Sequence, residues 1–105
     1  MTFDKHGYPT NATLKKIAKW KMVQDDPTIT VSCPPAKSLV YFIEECWHWE
    51  TYCTFDEEKG TLELHTGGWS GNEDIVGALQ KNFIFWSMYW QRSERGGHYY
   101  FAGIK

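Results

Sequence analysis

Residues 66–101 read TGGWSGNEDIVGALQKNFIFWSMYWQRSERGGHYYF, and this stretch constrains the fold more than any other. It opens on a glycine-rich turn, passes through a segment with helical spacing, and closes on alternating aromatics around Arg95-Gly96-Gly97. Side chains repeat every 3.6 residues on a helix and every second residue on a strand, so the change of period marks a helix feeding a strand pair. With a turn at Glu94-Arg95-Gly96-Gly97, Trp90 opposes Phe101 and Arg92 opposes Tyr99. That register sends Trp86, Met88, Trp90, Tyr99 and Phe101 to a core face. It sends Ser87, Tyr89, Gln91, Ser93, His98 and Tyr100 to the other. Glycines at the tip supply the positive φ of a tight hairpin turn.

A second alternating pair lies upstream, over residues 47–55 and 61–66, around Glu57-Glu58-Lys59-Gly60. Setting Phe55 against Leu62 and Cys53 against Leu64 gives an apolar face. Thr54 against Glu63 and Tyr52 against His65 then give a polar one, so the register is self-consistent. Between the two hairpins, Ser70-Gly71-Asn72-Glu73 has the spacing of a capping box and opens a helix to about Lys81. Ile75, Ala78 and Leu79 face its core side, and Asn82 is a plausible terminator.

The N-terminal part reads as helix, short strand, helix. Thr10 or Asn11 caps a helix running to about Met22, with Leu14, Ile17 and Ala18 inward and Lys15, Lys16 and Lys19 on a solvated face. Asp25-Asp26-Pro27 ends it, and residues 28–32 are β-prone enough for an edge strand. Cys33-Pro34-Pro35 opens the next helix, whose Leu39, Phe42, Ile43 and Cys46 fall at i, i+3, i+4 and i+7. The whole predicts one α+β domain over residues 1–105: an antiparallel sheet of about four strands, as two hairpins, with about three helices packed on one face.

Charge is unevenly distributed. Net charge is −2 overall, but +4 over residues 1–24, −9 over 25–74 and +3 over 75–105. An acidic middle repels a phosphate backbone, which disfavours nucleic acid and leaves room for a basic protein partner. No apolar run approaches the ~20 residues of a membrane span. With no signal-peptide pattern and three cysteines that form no CxxC pair, a cytoplasmic protein with packed, reduced thiols is expected.

No catalytic, cofactor or metal signature emerges. The glycine-rich turn before residue 71 lacks the Gly-Lys-Ser/Thr of a P-loop, and Glu73 and Asp74 already place negative charge in the first helical turn. His48-x-Glu50 and Glu63-x-His65 suit a metal if they lie on paired strands, but no Pro-Cys-x-x-Cys completes a deaminase set. Ser93 and His98 face each other with only Glu94 available to orient the histidine. Most of the expected recognition surface is the polar sheet face. The candidates are Tyr52, Glu63, His65, Tyr89, Gln91, His98 and Tyr100, joined by Trp69 and the tip residues Arg92 and Arg95. A merely solvated face, or one covered by the N-terminal helix, is the alternative.

The runs LHTGGWSGNE at 64–73, Phe85-Trp86, Trp90, and Ser93 with RGGHY at 95–99 resemble small uncharacterised proteins encoded in bacteriophage and prophage genomes. Tyr8-Pro9-Thr10 with Leu14-Lys15-Lys16-Ile17 is similar to their N-terminal helix. The resemblance implies a non-enzymatic accessory protein that binds and modulates a host protein, such as a component of a defence system, in the manner of anti-CRISPR proteins. Two other classes stand beside it: a small-ligand or nucleotide-binding domain using the loop 67–71, and a self-associating structural phage component, hence a homo-oligomer.

Overall fold

The structure is a computed structural model, and it describes residues 8–22 and 35–104. Four α-helices and a four-stranded antiparallel sheet build an α+β fold among those residues. The elements are α1 (Asn11–Ala18), α2 (Pro35–Cys46), a 3₁₀ turn (Glu50–Tyr52), β1 (Cys53–Asp56), β2 (Thr61–His65), α3 (Ser70–Lys81), α4 (Phe83–Tyr89), β3 (Trp90–Glu94) and β4 (His98–Phe101). Strand order is β1-β2-β4-β3, so the two hairpins join through an antiparallel β2–β4 pair.

Alternation on β2 and β4 decides which face of the sheet is covered. Leu62, Leu64 and Phe101 are buried, and each such side chain contributes roughly 1.5–3 kcal/mol. Against them pack Leu39, Val40, Ile43 and Cys46 of α2, Ile75, Val76, Ala78 and Leu79 of α3, Ile17 of α1 and Phe85 of α4. The i, i+4, i+7 stripe predicted for α2 is therefore the core stripe, with Phe42 partly buried beside it. Pro35 is its first residue, where a missing N–H costs no hydrogen bond. The β1–β2 register is the predicted one from Cys53↔Leu64 to Asp56↔Thr61. The edge strand expected over residues 28–32, together with Cys33 and Pro34, lies outside the described residues.

Two buried asparagines tie the helices together. Asn72 accepts from the His48 N–H at 2.9 Å and donates to the carbonyls of His48 and Thr66 at 3.0 and 3.3 Å. Asn82 ends α3 and also starts α4, its Oδ1 accepting from the Phe85 N–H at 3.2 Å. Its amide donates to the carbonyls of Ile17 and Trp20 at 3.0 and 3.2 Å, anchoring the end of α1 to the α3–α4 junction. Helix α1 accordingly stops at Ala18, four residues short of the expected Met22. Its start is as expected, with the Thr10 hydroxyl accepting from the Thr13 N–H.

Four further expectations are corrected. The first-hairpin strand begins at Cys53, not at residue 47, because Trp49 adopts φ +64° and the chain coils into the 3₁₀ turn. Tyr52 therefore does not pair with His65. No capping box forms: Trp69 is the N-cap, Ser70 is already helical, and no side chain caps the helix. Residues 86–89 are helical because Asn82 starts a new helix, which points Met88 outward and tucks Tyr89 against Phe85. Finally, a bulge at Gln91 shifts the second hairpin, so Arg92 opposes Tyr100 and Ser93 opposes Tyr99.

Candidate functional site

The open face of the sheet gathers five of the ten predicted surface residues: Glu63, His65, Arg92, His98 and Tyr100. Register places Glu63 opposite Tyr100 and His65 opposite His98 on β2–β4, with Arg92 opposite Tyr100 on β3–β4. The two histidine rings meet edge to face, with Nδ1 atoms 2.7 Å apart. Only one of those nitrogens carries the proton, so the neutral rings hold opposite tautomers. The Arg92 guanidinium lies 4.2 Å over the Tyr100 ring while its Nε reaches Glu94 at 3.5 Å. Glu94, hydrogen-bonded to the Tyr100 hydroxyl, holds that phenol above its ordinary range; burial and the carboxylate charge add to the effect and Arg92 opposes it. Glu94 was not among the predicted residues, although its i, i+2 relation to Arg92 would have found it.

Behind this face the hairpin tip is locked to the β2–α3 loop. The Thr66 N–H donates to the Gly97 carbonyl at 2.9 Å. Gly97 sits at φ +80°, and a Cβ there would strike the Thr66 side chain, so only glycine fits. Arg95 is exposed on the tip, and Gln91 is exposed in the bulge with its amide 3.4 Å from the Tyr89 carbonyl.

Trp69 and Tyr52 belong to a separate cluster of rings. Trp69 stacks on Tyr8 at 5.1 Å and meets the tilted His48 ring at 4.4 Å, and its indole lies against Gly71, where a side chain would collide with it. His48 contacts Trp49, which meets Tyr52 edge-on at 5.7 Å, and both of those rings cover Gly67. The loop thus serves as a floor for aromatic packing. His48 lies on no strand, so it does not join Glu63 and His65 in the arrangement considered from sequence.

A third surface went unnoticed in the sequence. Phe83 is 77% exposed, and Ile84, Met88 and Trp90 follow at 47, 61 and 40%. Ile84 and Met88 are one helical turn apart, and the Trp90 ring stacks on Trp86 at the end of the same helix. Helical spacing in residues 83–88 was the available signal, masked by an apolar run that also reads as strand.

The two cysteines among the described residues are quiescent. Burial pushes the Cys46 thiol up to about 11, with Glu45 adding to it, and the Cys53 thiol up to about 12, with Glu44 adding. Both stay protonated at neutral pH, the unreactive form. Among the described residues no group of three His, Cys, Asp or Glu side chains converges on a metal position. None of the helices described is long and apolar enough to cross a membrane. No protein-family model matches the chain, and no curated protein or solved structure matches it.

Proposed function

We propose that the protein works by binding another protein through the shelf formed by α4 and β3. The observation that carries this reading is the exposed row Phe83, Ile84, Met88 and Trp90, set beside a strand exposed along its whole length. Exposed apolar side chains gathered within eight residues, with charged Arg92, Glu94 and Arg95 close by in the chain, have the composition of a recognition surface. Because β3 is an edge strand, its free backbone side can also accept a partner strand. The resemblance to phage proteins makes a host protein the partner. The −9 charge of residues 25–74 favours a basic one, such as a nucleic-acid-handling component of a defence system.

Affinity capture with the wild-type chain, and in parallel with a Phe83→Ser/Met88→Ser variant, tests this on bacterial lysate and on purified CRISPR effectors. A partner retained by the wild type and released by the variant supports the reading. Absence of any partner across salt conditions, or one held equally by both proteins, removes it.

A second reading, self-association, has one specific support. Pairing β3 antiparallel with a copy of itself about Ser93 sets Arg92 against Glu94 twice, which is self-complementary. Light scattering over a concentration series separates the two, since only this second reading raises the mass of the isolated chain.

A further inference from the structure

The open sheet face carries an arrangement that protein docking on the α4–β3 shelf does not use. His65 and His98 sit at registered positions on neighbouring strands, half-buried, with Nδ1 atoms 2.7 Å apart. Two features keep them there. Backbone pairing fixes the strands from Leu62↔Phe101 through His65↔His98, and the Thr66–Gly97 bond closes the ladder just beyond the pair. We propose that His65 and His98 form a two-imidazole chelate for a divalent transition metal that accepts nitrogens in cis positions, Cu(II) or Ni(II).

Geometry selects the metal class. The 2.7 Å separation is a hydrogen-bond distance, so both rings must turn before their lone pairs meet on a metal at about 2.0 Å; at unchanged spacing the nitrogens then subtend about 85° there. That matches the right angle between neighbouring ligands of tetragonal Cu(II) or Ni(II). A tetrahedral zinc site needs its nitrogens about 3.3 Å apart, a wider opening of the pair. Imidazole is also a preferred donor for copper and nickel, and Cu(II) heads the affinity order for such sites. Among the described residues no third His, Cys, Asp or Glu side chain converges there, which leaves the remaining positions for water.

Binding needs no net loss of a proton from the neutral pair. The ring whose Nδ1–H bridges the two moves that proton to its own Nε2, freeing the second Nδ1 lone pair for the metal. Glu63 and Glu94 stand at register positions next to the pair, while the Arg92 cation is engaged by Glu94 and the Tyr100 ring. The loss of one hydrogen bond is offset by two metal–nitrogen bonds.

Titration of the full chain, carrying no affinity tag, with Cu(II) and Ni(II) tests the assignment. One Cu(II) per chain is expected, with an electron paramagnetic resonance spectrum split by two nitrogens. His65→Gln and His98→Gln should each weaken binding at least tenfold, His48→Gln should leave it unchanged, and Zn(II) should bind more weakly than Ni(II). Should the glutamine variants fail to fold, Ni(II)-induced broadening of the wild-type amide resonances answers the question directly. Broadening centred on residues 65 and 98 supports the site. Broadening elsewhere, a one-nitrogen spectrum, or binding undiminished in folded glutamine variants overturns it.

Discussion

The β1–β2 and β3–β4 hairpins share one sheet, yet they differ in almost every respect that burial controls. On β2, Leu62 and Leu64 are completely buried and Glu63 between them is exposed. On β3 all five residues are exposed, and a bulge interrupts the ladder at Gln91. The first hairpin is held in register by what its apolar face would lose if it slipped. The second is held from outside, by β4 pairing with β2 and by the Thr66–Gly97 link at its tip. A strand released from core duty in this way is free to present side chains. The two candidate surfaces of the molecule, the open sheet face and the α4–β3 shelf, both include β3.

The comparison breaks most readily at Leu64. Leu64→Ala leaves a cavity beneath fully packed helices and should lower unfolding free energy by about 2–5 kcal/mol in urea titrations. Ser93→Ala on β3 should change it by less than about 0.5 kcal/mol. A loss below about 1 kcal/mol for Leu64→Ala would place the folding core elsewhere than under β2.

The next effect in size sits at the join between α3 and the two ends of the first hairpin. Asn72 supplies three hydrogen bonds to backbone groups of His48 and Thr66 in a fully buried position. Asn72→Ala strands the His48 N–H and carbonyl, which costs about 1–3 kcal/mol, while the Thr66 carbonyl keeps the Trp69 N–H. Amide exchange should accelerate at the His48 N–H, whose acceptor is gone, while the β1–β2 ladder keeps its protection. Equal acceleration in both places would mean that Asn72 supports the whole sheet and not the join.

These two residues also show why part of the fold was legible in the sequence and part was not. Leu62 and Leu64 alternate with polar neighbours, so the first register follows from a period of two. The α2 stripe follows in the same way from a period of 3.6. Over residues 83–90 nearly every side chain is apolar or aromatic, and neither period stands out. Asn82 decides the matter by capping α4, through a bond to Phe85 and two others to backbone 62 and 65 residues away in the chain. Local pattern does not carry a contact of that range. For the same reason Trp69 reads as a loop residue in sequence, whereas its place is fixed by Tyr8 and His48. The polar face is legible at Glu63, His65, His98 and Tyr100 and fails at Tyr52 and Tyr89, where alternation reads as strand and the chain is helical instead, 3₁₀ at Tyr52 and α at Tyr89.

Gly97 sharpens the claim that the second hairpin is held at its tip. Gly97→Ala forces a side chain into φ +80° and against Thr66, costing about 1–2 kcal/mol from the left-handed backbone alone. Exchange of the Thr66 N–H should rise, and the ladder from Trp90 to Phe101 should loosen before the Cys53–Leu64 ladder does. Loss of protection in the opposite order would make the first hairpin the weaker of the two.

The smallest effect is expected on the shelf. Phe83 and Met88 are mostly in water, so Phe83→Ser and Met88→Ser remove little buried area. Each should shift stability by no more than about 0.5 kcal/mol, the range of ordinary surface substitutions. Side chains of this kind in open solvent do nothing for folding, and a small cost with a large loss of partner binding is the signature of a surface kept for docking. A cost above about 1.5 kcal/mol would instead mean that these side chains are covered by the chain itself, and β3 and α4 would then belong to the core like β2.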